Sequence, residues 1–181
     1  MKLFQVVVLL FASVPAWTAE VYTFGLLPGS GDVAGAPGET IGWGYSMENR
    51  SSTLWLVTTG VDPDTFQSGT PNLIFDFPVV APGSSVTALF DANALTGLMA
   101  LTWDASVPLG TVESGRFQLN AEWWNGDPLA GGQFAFAAST LSASYSATAV
   151  PEPGTDALIG LALAAAGTIS ARRRQRPGAL N

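Results

Sequence analysis

The segment "RFQLNAEWW", residues 116–124, alternates between apolar and polar side chains along its length. A repeat of two is typical of a β-strand that buries one face and exposes the other. The face predicted to be buried holds Phe117, Leu119, Ala121 and Trp123. The face predicted to be exposed holds Arg116, Gln118, Asn120, Glu122 and Trp124. The segment therefore predicts a strand in a sheet that packs one face against a core.

A second segment, "TIGWGYSME" at residues 40–48, shows the same alternation, with Ile41, Trp43, Tyr45 and Met47 on one face. Weaker strand signals cover residues 22–27, 53–59, 73–77, 85–90, 98–103, 133–139 and 142–149. Gly and Pro separate these segments about every eight to twelve residues, as in all-β sandwiches. The sequence therefore predicts an all-β fold, an antiparallel β-sandwich of Ig-like or jelly-roll type with about seven to nine strands.

Turn residues support this fold. The segment "NGDPLAGG", residues 125–132, is predicted to turn one strand back onto the next. The tripeptide Ala-Pro-Gly begins at Ala36 and again at Ala81, each time shortly before a predicted strand. Because Pro and Gly suit adjacent positions of one turn type, both tripeptides predict a turn.

The side-chain inventory excludes several kinds of chemistry. The chain has no Cys and no His, and its only Lys is Lys2. A disulfide framework, a Cys or His zinc site, a Ser-His-Asp triad and a Schiff-base lysine are therefore excluded. We expect a protein that is not an enzyme, with no catalytic residues, no metal and no cofactor.

Charge is distributed unevenly. Between residues 17 and 149 there are twelve acidic residues against two basic ones, Arg50 and Arg116, a net charge of −10. Phosphate groups would be repelled by this segment. The sequence therefore argues against binding to nucleic acid and to anionic lipid.

The N-terminal segment "MKLFQVVVLLFASVPAWTAE" begins with a single positive charge, Lys2, and continues with an apolar stretch at residues 3–12. Val14-Pro15-Ala16 then offers the small residues that signal peptidase accepts. The segment predicts a signal peptide, residues 1–16, that directs the chain to the export machinery and is cleaved after Ala16. A buried N-terminal helix is the alternative, but Pro15 would interrupt it.

The C-terminal segment contains fifteen residues without charge, 157–171, followed by Arg172, Arg173, Arg174 and Arg176. As a helix this stretch is about 22 Å long, shorter than the roughly 30 Å hydrocarbon core of a bilayer. The arginines would hold its far end on the cytoplasmic side. The tail therefore predicts a short transmembrane helix; the alternative, a surface helix, lacks a stripe of 3.6-residue period.

The tail also resembles a known signal. Pro151-Glu152-Pro153, a short apolar stretch and a terminal arginine cluster are similar to the PEP-CTERM sorting signal of bacterial proteins handled by exosortase. The resemblance covers about the last thirty residues. It implies that Pro151, Glu152 and Pro153 are the sorting determinants and that Arg172, Arg173, Arg174 and Arg176 orient the anchor. The two prolines would keep the motif extended and unpaired for an enzyme's cleft.

These predictions divide the chain into a signal peptide at residues 1–16, a β-sandwich ectodomain at 17–149 and a sorting signal at 150–176. The resemblance implies transient anchoring in the inner membrane, with exosortase as the partner that transfers the protein to the cell surface or the extracellular matrix. A contribution to an extracellular polysaccharide layer, as in a biofilm, is implied by the resemblance alone.

Acidic side chains offer two further hypotheses. Asp104, Glu113, Glu122 and Asp127 include pairs that suit glycoside hydrolysis if their separation is right. Asp62 with Asp64, or Asn125 with Asp127, offers oxygen ligands for Ca²⁺. Neither set matches a calcium-loop pattern, and turn formation by Asp is the simpler interpretation.

Trp124 is the most informative aromatic residue, because its parity places it beside Glu122 and Asn120 on the polar face of its strand. Either a loop covers it, or it offers a flat surface that stacks on a sugar or another subunit. Trp55 shares these alternatives because its strand is apolar on both faces.

The leading functional hypothesis is a non-enzymatic surface or matrix protein. A carbohydrate-binding module that uses Trp124 and Trp55 is the alternative, with an enzyme third.

Overall fold

Eleven β-strands and one short 3₁₀ helix make up the part of the chain that the computed structural model describes, residues 21–152 and 154. The predicted signal peptide with Ala16, the predicted transmembrane helix, Pro153 and the four C-terminal arginines lie outside these residues.

The strands follow one another along the chain as β1 (Tyr22–Leu27), β2 (Asp32–Gly35), β3 (Thr40–Asn49), β4 (Leu54–Pro63), β5 (Gly69–Leu73), β6 (Val79–Val80), β7 (Ser85–Ala88), β8 (Met99–Trp103), β9 (Val112–Asn125), β10 (Gln133–Ala137) and β11 (Leu141–Ala149). The 3₁₀ helix, Pro128–Ala130, lies in the predicted turn between β9 and β10.

The strands form two sheets. One sheet has the order β1-β3-β8-β5, with β7 also paired to β3; the other has the order β2-β11-β9-β4-β6, with β10 also paired to β9. All pairs are antiparallel except β2 with β11, which is parallel. The all-β sandwich predicted from the sequence is confirmed, with one parallel pair that alternation along a strand cannot indicate.

Aromatic side chains join the two sheets. Trp43 of β3 lies 5.2 Å from Phe117 of β9 and 5.1 Å from Tyr145 of β11, measured between ring centroids. At the other end of the core, Tyr22 of β1 meets Trp123 of β9 edge to face at 5.9 Å. Burying one such ring stabilises the fold by about 4–6 kcal/mol before the entropy of ordering is subtracted. These contacts account for the alternation in β3 and β9.

The predicted inward faces of β3 and β9 are confirmed. Each of the eight apolar residues assigned to them is at most 6% exposed. The outward side of β3 is not open to solvent at Gly42 and Gly44, however, because Leu89 and Phe90 lie against these glycines. A side chain at either position would collide with this segment, which explains why the outward face of β3 holds glycine there.

The number and bounds of the strands differ from the prediction: the described residues hold eleven instead of about seven to nine, and β4 continues to Pro63, four residues past its predicted end. The strand predicted at 73–77 lies instead at Gly69–Leu73 and contains Pro71, which an edge strand such as β5 tolerates. The short strands β2 and β6 were not predicted, since two to four residues show no clear period. Strand β9 begins four residues before the predicted segment.

Both Ala-Pro-Gly tripeptides form turns, as predicted. Glu39 N donates to Ala36 O at 2.9 Å, and Ser84 N donates to Ala81 O at 3.1 Å. Gly38 and Gly83 have φ values of 81° and 67°, which a type II turn requires at its third residue.

Candidate functional site

The outer face of the six-stranded sheet carries the candidate ligand residues from the sequence. Along β9, Trp123 is 1% exposed and belongs to the core, whereas Trp124 is half-buried on the opposite face. Trp55 of β4 is directly opposite Trp124 in the sheet register and is also half-buried. The structure thus brings together the two tryptophans that the sequence singled out separately.

A third aromatic residue continues this arrangement. Phe134 of β10 pairs with Trp124 from the other side, and their rings meet edge to face with centroids 6.4 Å apart. Phe134 is itself 54% exposed. Trp55, Trp124 and Phe134, here called the aromatic row, therefore cross three neighbouring strands on the outer face. Neighbouring strands lie about 4.8 Å apart, so the row extends over about 10 Å.

The indole of Trp124 is held in place by its own strand. Its Nε1 donates to Glu122 Oε2 at 3.1 Å, which fixes the ring relative to the strand. The ring of Phe134 lies nearly perpendicular to this indole and is itself more than half exposed. The neighbouring strand β10 thus contributes to the partial cover of Trp124.

A line of hydrogen-bonded polar side chains lies on the same face, four residues along β9 from Trp124. Asn120 Nδ2 donates to Asp62 Oδ2 at 2.9 Å, and Thr140 Oγ1 donates to Asn120 Oδ1 at 2.9 Å. Asp62, Asn120 and Thr140, here called the polar row, span β4, β9 and the residue before β11. Hydrogen bonds to both neighbours therefore fix the orientation of the Asn120 side-chain amide.

A cleft of about 510 Å³ lies further along β9. Its lining is formed by Asp64, Ser114, Gly115, Arg116, Gln118, Ser144 and Tyr145. The backbone N–H of Arg116 donates to Asp64 Oδ2 at 2.9 Å. Burial, followed by the negative charges of Asp64 and Glu113, raises the pKa of Tyr145 to about 12. The tyrosine is therefore neutral at physiological pH, and its hydroxyl is one of several polar groups that line the cleft.

Five of the six acidic residues considered for catalysis or calcium accept hydrogen bonds within the fold. Asp127 Oδ1 accepts from Leu129 N at the start of the 3₁₀ helix, and Glu113 Oε1 accepts from Gln67 N at 2.9 Å. Asp62 belongs to the polar row, and Asp64 accepts from the backbone of β9. Within residues 21–152 and 154, no three metal-ligating side chains come together.

The sorting motif begins at the edge of the folded part. Strand β11 ends at Ala149, and Val150 N donates to Gly35 O at 2.9 Å. Pro151 and Glu152 follow at once and are exposed. Glu152 and Gly154 line a surface cleft of about 500 Å³ with the turn at residues 36–39. The start of the motif thus lies beside the end of β2, without an intervening linker.

Sequence reasoning did not identify Phe134 as part of the aromatic row. A strand was predicted around it, but its position opposite Trp124 depends on the register in which β10 pairs with β9. The pairing of two distant strands is not visible in either strand's own pattern. The aromatic character of "FAF" at residues 134–136 was the available signal.

Comparison with known proteins bears mainly on the tail. Residues 149–174 match the family model of the PEP-CTERM protein-sorting motif, which confirms the resemblance and indicates an exported protein that exosortase processes. No curated protein matches the chain. Among solved structures, the ASH / PapD-like domain of human CEP192 (PapD-like domain 7) is similar at 10% identity, with a TM-score of 0.39 over 82% of this chain and 99% of that chain. None of the helices in the described residues has the length and apolar character needed to span a membrane.

Proposed function

Because its tail carries a PEP-CTERM protein-sorting motif, we propose that this chain is a non-enzymatic protein of the bacterial cell surface or extracellular matrix. Its signal peptide directs export, the tail anchors it transiently in the inner membrane, and exosortase then transfers or releases the β-sandwich. The observation that carries this proposal is the match at residues 149–174, which begins at the last residue of β11.

The side chains support a structural role over catalysis. The chain has no His and no Cys, and burial raises the pKa of all three tyrosines. Three of the four carboxylates that the sequence suggested for catalytic pairs, Glu113, Glu122 and Asp127, accept hydrogen bonds from backbone and indole N–H groups. A protein with these features contributes through its fold and its surface.

The test follows the full chain in a bacterium that has exosortase and in the same strain without it. With exosortase, we expect a shortened form outside the inner membrane; without it, the full-length form stays in the inner-membrane fraction. Replacing Pro151, Glu152 and Pro153 by Ala should reproduce the second result in the first strain. An identical distribution in both strains would contradict the proposal.

Carbohydrate binding is the second candidate function, and the aromatic row favours it. Three rings from adjacent strands lie on one sheet face beside hydrogen-bonded polar side chains. Ligand sites commonly combine aromatic surface with a few oriented polar groups. A protein sorted to a polysaccharide-containing matrix would use such a face to attach to it.

A further inference from the structure

We propose that the aromatic row binds a neutral polysaccharide, with Trp124 as the central stacking residue and the polar row as the adjoining hydrogen-bonding surface. This inference rests on the second candidate function and is independent of how the chain is sorted. It assigns the ligand class and adds Phe134, Glu122 and the polar row to the two tryptophans.

The first argument is the chemistry of the row. The C–H groups of a sugar ring carry partial positive charge, and an aromatic face carries partial negative charge, so the two attract. Trp55, Trp124 and Phe134 lie on the same side of three adjacent strands, and Phe134 is more than half exposed. Such an arrangement suits an extended chain of rings that crosses the strands.

The second argument is orientation of the polar groups. Glu122 is fixed by the indole of Trp124, and Asn120 is fixed by Asp62 and Thr140. Their oxygens can accept hydrogen bonds from sugar hydroxyls without first losing side-chain freedom. Because the groups are already ordered, binding costs less conformational entropy.

Charge selects the class of polysaccharide. The segment at residues 17–149 has a net charge of −10, Glu122 accepts a hydrogen bond from the indole of Trp124, and Asp62 belongs to the polar row on the same face. A polymer rich in carboxylate or sulfate would be repelled, whereas a neutral polymer would not. The same charge argues against single-stranded nucleic acid, the other polymer that stacks on aromatic rows.

The position of the row argues for an external partner. The sorting motif follows the end of β11 where Thr148 pairs with Val112, at the start of β9. Trp124 lies twelve residues along the same strand, about 40 Å away. The tail therefore leaves the sheet at the opposite end from the aromatic row, and its first described residues lie against the turn at residues 36–39.

The test is affinity electrophoresis of the full chain, purified in mild detergent, through non-denaturing gels. Separate gels contain hydroxyethyl cellulose, laminarin or dextran as neutral probes, and alginate as the polyuronate. We expect at least one neutral probe to retard the protein, and Trp124→Ala and Phe134→Ala to weaken that binding at least about tenfold. Trp124→Phe, which keeps a ring, should restore part of it.

Phe136→Ala is the matched control, because Phe136 is a 40% exposed aromatic residue of β10 that pairs with Trp123 instead of Trp124. We expect its binding to match the unaltered chain. Urea denaturation confirms that each variant folds; if Trp124→Ala does not, the exposed Phe134→Ala decides the test.

Several results would overturn the inference. The first is that none of the three neutral probes retards the protein. The second is that Trp124→Ala and Phe134→Ala bind as strongly as the unaltered chain. The third is that alginate binds as strongly as any neutral probe. Sedimentation tests self-association: an oligomer that Trp124→Ala converts to monomers would show that a second copy covers the row. None of these results depends on exosortase, so the sorting proposal stands or falls separately.

Discussion

Asn49 shows how one polar side chain connects the two sheets. It ends β3 in the first sheet, and its Nδ2 donates to Leu54 O and Val80 O, which belong to β4 and β6 of the second sheet. Its Oδ1 accepts from Ser51 N. The residue is fully buried, and its bonds to Val80 O and Ser51 N form away from water. Buried polar groups in such positions are costly to leave unpaired.

We predict that Asn49→Ala lowers the free energy of unfolding by about 2–4 kcal/mol, because two carbonyls and one N–H lose their partner. Urea denaturation followed by tryptophan fluorescence measures the change. Asn72→Ala in β5 is the control, since Asn72 is exposed, and should change it by less than about 0.5 kcal/mol. Equal losses in both variants would show that the three bonds do not stabilise the fold.

The tyrosines give the fold a dependence on alkaline pH. Burial, then the charges of Asp64 and Glu113, raises the pKa of Tyr145 from an ordinary value of 10.0 to about 12. Between these values the unfolded chain has already lost a proton that the folded chain keeps. Stability is therefore fully present below pH 10 and falls as the pH rises toward 12.

We predict that the free energy of unfolding decreases between pH 10 and pH 12 and that Tyr145→Phe makes this decrease smaller. Tyrosinate absorbance during alkaline titration, with urea denaturation at each pH, measures both. If the free energy of unfolding of the unaltered chain stays constant over this pH range, the raised pKa of Tyr145 is contradicted.

Residue parity alone located Trp124, because the side chain's face follows from counting along one strand. Parity could not identify the residues beside Trp124. Trp55 is 69 positions earlier and becomes a neighbour of Trp124 only because β4 pairs with β9. Local pattern thus predicted which residue faces outward, and strand pairing determines what lies beside it.

At the scale of the strand, close packing on both faces of β3 restricts which side chains the strand can hold. Its inward side chains fill the core, and its outward Gly42 lies against Phe90 and the carbonyl of Met99. Alternation predicted the inward face of β3 correctly. The covering segment after β7 was not predicted, because nothing within β3 indicates what packs over its glycines.

We predict that Gly42→Ala destabilises the fold by about 1–3 kcal/mol, because the added methyl group displaces Phe90 or the backbone of β8. Gly25→Ala in β1 is the matched control: its methyl group would meet only Ser46 Oγ, at an ordinary 3.5 Å. Thermal unfolding of both variants measures the difference. If both substitutions lower the midpoint temperature of unfolding equally, the segment over β3 moves aside easily and does not restrict the side chains of the strand.

On the scale of the whole molecule, the six-stranded sheet places the start of the sorting motif and the aromatic row at opposite ends of β9. Leu109 precedes β9 beside Ala149 and the sorting motif, whereas Leu129 lies in the 3₁₀ helix after β9, near the aromatic row. Both leucines are well exposed. If the tail anchors the chain as proposed, the first end faces the membrane and the second faces outward.

We predict that a fluorophore on Leu109→Cys is quenched more strongly by lipid head-group quenchers than one on Leu129→Cys when the full chain is bound to vesicles. Each label is unique because the chain has no native Cys. The reason is the length of β9, about 40 Å from Val112 to Trp124. Similar quenching at both positions would mean that the sandwich lies flat on the bilayer.

The interior position of β11 has a consequence for the order of synthesis and export. Among the strands of residues 21–152 this one comes last, yet it lies between β2 and β9. Until it arrives, β9 presents an unpaired edge along most of its length, and β2 has no neighbour in its sheet. An exported chain that crosses the membrane with its N-terminus first therefore cannot complete this sheet until β11 has crossed. Until then its open strand edges aggregate readily unless a chaperone binds them.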